Sequence, residues 1–350
     1  MIYMGCDYQE GAFPQILARY GETNLVQQPG YGEDVWTKRA RDLIRAACRA
    51  PEAEVHLLVG GTQTNSIVLH GMMRSWEGAI CCDTGHINGH EAGAVESKGH
   101  KVLVVPGKDG KLSAETVEAY MKDFKADDSW MHCPQPAVVY LSQSTERGTL
   151  YTLAELEAIR AVCDRWNLKL FCDGARLAYA LEGVGNDVTL ADLARLCDVF
   201  YIGGTKCGSL LGEAVVAKPG ALPCFFTQQK QQGAVTAKGR VVGIPFEVFF
   251  ENDGALYREA GRTGVRTAQK LQDAFIAKGF LIDAKSPTNQ VFVTLPKDVA
   301  ERVAEKVIYS TWKVNDDGSR FCRFCTCWAT TDLNFHAEIT LTPAAPSSAA

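Results

Sequence analysis

Three short stretches of this chain combine residue types that bind an anion, hold a cationic ring nitrogen and bond covalently to an aldehyde. Val59-Gly60-Gly61-Thr62-Gln63-Thr64-Asn65 follows an apolar run and leads into a helical pattern that begins near Asn65. Its glycines let the backbone approach a ligand, and the exposed N–H groups at a helix start attract an anion such as phosphate. A tight turn with Thr or Asn capping the helix would use the same residues. The stretch fits neither the Walker pattern nor GxGxxG. Asp173 comes directly after an apolar strand in Phe171-Cys172-Asp173-Gly174-Ala175-Arg176, where a carboxylate can bind a metal, cap a helix or pair with a positively charged cofactor nitrogen. Lys206, in Gly203-Gly204-Thr205-Lys206-Cys207-Gly208, lies between glycines after another apolar strand. Desolvation there favours the neutral amine, which condenses with aldehydes.

Together the three form the set needed to hold pyridoxal phosphate (PLP): Lys206 for the aldehyde, Asp173 for the pyridine nitrogen, and Gly60, Gly61 and Thr62 for the phosphate. The elements that must position them alternate from about residue 36 to 218. Strands are expected at 55–58, 78–82, 101–105, 137–141, 168–172 and 199–202, and helices at 36–48, 65–76, 113–124 and 153–166. Strands joined by helical crossovers are most simply parallel, and such a sheet carries its site beyond the carboxyl ends of its strands. After about residue 245 a smaller α+β pattern follows: helix 255–278, strand 290–295, helix 300–307 and strand 320–328. The expected organisation is an N-terminal arm (1–30), a large cofactor-binding domain (31–245), a small C-terminal domain (246–340) and a Pro-, Ala- and Ser-rich tail (341–350) that frays.

Composition narrows the function classes. With 41 acidic against 36 basic residues the formal charge is −5, and no basic run offers a surface to nucleic acid. No apolar stretch reaches the ~20 residues of a membrane span, and the first residues lack the character of a secretory signal. A cytoplasmic protein is expected, its 13 cysteines acting as small buried thiols. Cys322, Cys325 and Cys327 cannot chelate one ion if 320–328 is a strand, because period two splits them between its faces; no metal site is expected.

The chain resembles the threonine aldolase branch of the fold-type-I PLP enzymes, the β-eliminating lyase group. The resemblance covers roughly residues 5 to 335. Besides Asp173 and Lys206 it rests on CDYQEGAFP at 6–14, PGYGED at 29–34, DTGHINGHEAGA at 83–94, QSTERGTLYT at 143–152, GGTKCGSLLGEAVV at 203–216, AKGR at 237–240, SPTNQ at 286–290 and CRFCTCWAT at 322–330. It implies the fold-type-I architecture: a large domain with a mostly parallel sheet flanked by helices, and a small α+β domain.

The resemblance also implies roles. His86 would stack on the cofactor ring and approach the substrate hydroxyl, a task that suits imidazole, with Glu91 placed to orient it. Arg176 and Arg323 would hold the amino-acid carboxylate. Lys230 and Arg240 fall where relatives supply cations to the phosphate, often from a neighbouring subunit, which implies a homodimer or homotetramer with the site at the subunit interface. Two departures stand out. Cys6 occupies a position where many relatives carry a Ser that helps hold the carboxylate, and Ser144-Thr145-Glu146 replaces an Asn-Thr-His run, so that Glu146 is the candidate second base, through a water, or else a simple loop carboxylate.

The expected reaction is retro-aldol cleavage of L-threonine or L-allo-threonine, β-hydroxy-α-amino acids, to glycine and an aldehyde. The L configuration follows from the family alone. The same cofactor also supports β-elimination from serine-, cysteine- or aromatic-type amino acids, which is the rival within the class. A PLP-binding protein without catalysis and a nucleotide-binding α/β protein are the rivals outside it.

Overall fold

The computed structural model describes residues 1–282 and 284–331; the expected tail at 341–350 and the end of the small domain lie outside them. The strands in chain order are β1 (Ile2–Tyr3), β2 (Glu54–Leu58), β3 (Glu77–Cys82), β4 (Lys101–Val105), β5 (Gln135–Ser142) and β6 (Lys169–Asp173). They continue as β7 (Val199–Gly203), β8 (Glu213–Ala217), β9 (Gln290–Leu295), β10 (Val307–Ile308), β11 (Ser310–Val314) and β12 (Arg320–Cys325).

Seven of them form the central sheet in the order β2-β8-β7-β6-β5-β3-β4. Alternation within the central strands feeds both faces: Val138, Tyr140, Phe171, Val199 and Tyr201 belong to one core, and Val139, Leu141, Leu170, Cys172, Phe200 and Ile202 to the other. Strands buried on both sides read as continuous apolar runs, which is why they were legible. Helix Leu153–Trp166, which matches its expected span, starts at a capping box of Thr152 and Glu155 and ends at Asn167 in the left-handed region.

β8 departs from the expected pattern. It runs antiparallel to both β7 and β2, because β7 returns through the short loop 204–212 rather than a crossover helix. Its first residue, Glu213, therefore stands in register with Gly203 and Leu58, the carboxyl ends of β7 and β2. Ser142 and Asp173 are partners at the ends of β5 and β6. The loops after β2, β6 and β7 thus converge on one edge of the sheet.

The C-terminal part is an antiparallel sheet, β11-β12-β9, packed through Val291, Val293, Cys322 and Phe324 against Ala268, Leu271 and Phe275. β11 escaped the pattern because most of its residues are exposed and carry no apolar alternation. The helix expected over 255–278 is the second half of Arg240–Ala277, which passes through position 245 and breaks at Glu251–Gly254. The helix expected at 300–307 runs Lys297–Ala304. β1 pairs with β10, tying the N-terminal arm to this part of the chain.

β12 stops at Cys325, so Cys327 lies beyond it rather than on its second face. All three thiols are buried, and burial pushes Cys322 and Cys325 up to about 11 and Cys327 up to about 12, as expected of packing groups. Among the described residues no cluster of His, Cys, Asp or Glu could hold a metal ion, and no helix is long and apolar enough to cross a membrane.

Candidate active site

At the convergent sheet edge lies a cavity of about 390 Å³, lined among others by Tyr8, Gly60, Gly61, Thr62, His86, Glu146, Asp173, Arg176, Lys206 and Glu213. The helix at its rim is Gly61–Met72, four residues earlier than the apolar periodicity suggested, and its N-cap is Gly60, with no side-chain cap. Its first N–H groups are therefore not taken by a capping side chain. A Cβ at Gly60 would meet nothing within 4 Å, so the space above this helix start is open. Asn65, considered as a cap, instead lies within the helix and is buried.

Asp173 is almost fully enclosed. Its Oδ2 accepts from the Tyr140 hydroxyl at 2.6 Å and the Asn65 amide at 2.9 Å, and its Oδ1 from the Tyr201 hydroxyl at 2.6 Å and the Ala175 N–H at 2.9 Å. Burial pushes its pKa up, but the His86 charge and these hydrogen bonds outweigh burial and hold the carboxyl below its ordinary range. It is an anion kept in place.

A second carboxylate links to it. Asn65 Nδ2 also donates to Glu91 Oε1 at 2.7 Å, and the same oxygen lies 2.7 Å from His86 Nδ1. A buried acceptor-only carboxylate at Nδ1 fixes that nitrogen as the donor and leaves Nε2 as the free ring nitrogen. His90 stacks on His86 with ring centroids 5.7 Å apart. Glu146 Oε1 accepts from the Ser142 hydroxyl at 2.7 Å and the His86 backbone N–H at 3.1 Å. Burial, with the Asp173 charge, raises its pKa against the Ser142 bond.

Lys206 is carried on a short 3-10 turn after β7. Burial and the Arg176 charge lower its pKa, against the pull of Asp7, Asp173 and Glu213, which favours the uncharged amine. Arg176 itself is engaged: its Nε and Nη2 donate to the two oxygens of Asp7 at 2.7 and 3.0 Å, so its forked edge does not point free into the cavity.

The structure thus brings Gly60, Gly61, Thr62, His86, Glu146, Asp173, Arg176 and Lys206 to one cavity. Four expected residues do not line it. Cys6 receives the Gln9 amide. Arg323 donates to Gly5 O at 3.2 Å and Gln290 Oε1 at 3.3 Å. Lys230 lies over the Tyr31 ring and Arg240 over the Trp36 ring, each at 4.8 Å. The residues that sequence reasoning missed are Asn65, Tyr140, Tyr201, Asp7 and Glu213. Asn65, Asp7 and Glu213 lay inside stretches already singled out, whereas the two tyrosines lay within the expected strands 137–141 and 199–202.

The profile of the β-eliminating lyase family matches residues 16–297. A low-specificity L-threonine aldolase of Pseudomonas aeruginosa is 31% identical over 90% of this chain and 90% of its own length. The chain belongs to the β-eliminating lyase family. A threonine aldolase structure from Leishmania major shares 40% identity, covers 96% of this chain and 97% of its own, and superposes with a TM-score of 0.92. The aromatic aminotransferase of Pyrococcus horikoshii, at 15% identity and a TM-score of 0.69, shares the fold.

The family's cofactor, PLP, fits the residues present. The cavity volume is that of a small-ligand site, the uncapped helix start suits a phosphate, Asp173 is a held anion that suits a cationic ring nitrogen, and Lys206 is a desolvated amine. The residues that would hold PLP come from several strand ends of one sheet edge.

Proposed function

We propose that this chain is a PLP-dependent aldolase that cleaves L-threonine, L-allo-threonine and related β-hydroxy-α-amino acids to glycine and an aldehyde. The observation that carries this reading is the convergence of Lys206, Asp173 and the uncapped start of helix Gly61–Met72 on one cavity beside His86, and the names of the relatives support it. Bound there, PLP supplies an electron sink for the pair left on Cα when the Cα–Cβ bond breaks.

The chain's own residues divide the remaining work. Lys206 offers its amine, Asp173 keeps the ring nitrogen protonated, and Gly60, Gly61 and Thr62 take the phosphate. His86, its Nδ1 held by Glu91, presents Nε2 to the β-hydroxyl proton. Glu146, buried and raised in pKa, is the second proton-holding group. Arg323 binds the substrate carboxylate with help from Cys6, and Arg176, fixed by Asp7, adds positive charge at that end. Lys230 and Arg240, which do not line their own chain's cavity, serve the phosphate of a neighbouring subunit in a homodimer or homotetramer. The enzyme works in the cytoplasm.

Sodium borohydride reduction of the PLP-loaded chain, followed by peptide mapping, tests the assignment. A pyridoxyl group fixed on Lys206 is expected. Label on another lysine, or none, overturns it.

A further inference from the structure

We propose that Glu213 is a positioning residue for Lys206, its buried carboxyl group clasping the lysine's loop and setting the charge that the amine carries. This rests on the reading of Lys206 as the amine that bonds the cofactor. Glu213 opens β8, the antiparallel strand of the central sheet, opposite Gly203 on one side and Leu58 on the other. It therefore stands between the two loops that carry Lys206 and Gly60–Gly61, and it lines the same cavity while only 3% exposed.

Its bonds reach the residues just before Lys206. Oε2 accepts the Gly204 N–H at 3.2 Å, and the Thr205 side chain, which accepts the Gly212 N–H at 3.1 Å, acts against the upward shift that burial gives the carboxyl. A glutamine would accept the same bonds with a smaller desolvation penalty. What the carboxyl adds is a charge that it can take up or give away.

The charged and titratable groups around the pair make that exchange local. Glu213 faces Lys206 and Asp173, and Tyr201, Cys207 and Tyr257 lie within its field; Lys206 faces Arg176, Asp7 and Asp173 besides Glu213. Burial pushes Glu213 up to about 8, while burial and Arg176 push Lys206 down. The two shifts run toward one another, so the charge on either group bears on the protonation of the other. An ionised Glu213 draws the proton to Lys206; a protonated one leaves the amine free to form its bond.

The test uses the unloaded chain, so it needs neither cofactor nor turnover. Acetic anhydride labelling across pH, read at Lys206 by peptide mass, gives the midpoint at which the amine becomes reactive. In Glu213→Gln the midpoint is expected to fall by roughly one pH unit, with Glu213→Asp restoring most of it. An unchanged midpoint in a Glu213→Gln chain that melts like the wild type overturns the proposal, as does an equal fall in Glu213→Asp. Should Glu213→Gln fail to fold, Lys206→Met carries the test, with carboxyl NMR of glutamate-labelled chain: the Glu213 titration moves upward without its cation, and no movement overturns the proposal. Failure here leaves the borohydride result standing, and failure of the borohydride trap leaves the labelling midpoint intact.

Discussion

Asp7 and Arg176 form a buried, two-pronged ion pair that joins the N-terminal arm to the central sheet. Asp7 Oδ2 lies 2.7 Å from Nε, and its Oδ1 lies 3.0 Å from Nη2. The same Oδ2 accepts the Asn289 amide at 2.9 Å, so one carboxylate ties together the arm, the large sheet and the C-terminal sheet. It also fixes the guanidinium beside Lys206.

Asp7→Asn leaves Arg176 as an uncompensated buried charge. A loss of about 3 kcal/mol in unfolding free energy is expected, read as a lower urea midpoint with an unchanged slope. A midpoint equal to the wild type would show that the pair contributes nothing.

Acid should weaken the fold in a defined window. Burial pushes Asp7 up, but the Arg176 and Lys206 charges outweigh it and hold its carboxyl below the ordinary range, and Asp173 is depressed likewise. A depressed folded-state pKa gives stability that is complete above the unfolded value, about 3.9, and drains away as pH falls through the folded value. Wild-type stability should therefore drop steeply below about pH 4. Urea midpoints across pH should show a shallower drop in Asp7→Asn; parallel curves would contradict this.

The parts of the site that could be read in the sequence are those where apolar strands end in glycines: the loops of Gly60–Gly61, Asp173 and Lys206. Strand-end chemistry is local and leaves a local mark. What stayed hidden depends on contacts distant in sequence. Asn65 meets Glu91 and Asp173 across the sheet edge, Asp7 meets Arg176, and Tyr140 and Tyr201 look like packing because only their hydroxyl tips turn to Asp173. β8 was missed because a short loop return leaves no crossover signature. Cys6, Arg323, Lys230 and Arg240 carry the family's pattern without lining the cavity of their own chain.

The His86–Glu91 contact at 2.7 Å should matter to rate more than to binding. Glu91→Gln can present an N–H to Nδ1 and reverse the ring's tautomer, and a fall in kcat of about 100-fold is expected with little change in KM. A loss confined to KM would place Glu91 in substrate binding instead.

Gly61→Val should weaken cofactor binding directly. A Cβ there already lies 3.3 Å from the Tyr201 hydroxyl, and the remaining side chain intrudes on the open helix start. A rise in PLP Kd of about tenfold or more is expected, about 1.4 kcal/mol, measured by absorbance titration. Unchanged affinity would remove this helix start from the phosphate site.

The most direct test of aldol cleavage is to incubate the PLP-loaded chain with L-threonine and quantify glycine and acetaldehyde against 2-oxobutyrate and ammonia in one sample. Equal amounts of glycine and acetaldehyde, abolished in Lys206→Ala, are expected. Oxobutyrate with ammonia as the main products would contradict Cα–Cβ cleavage and make the chain an eliminating lyase.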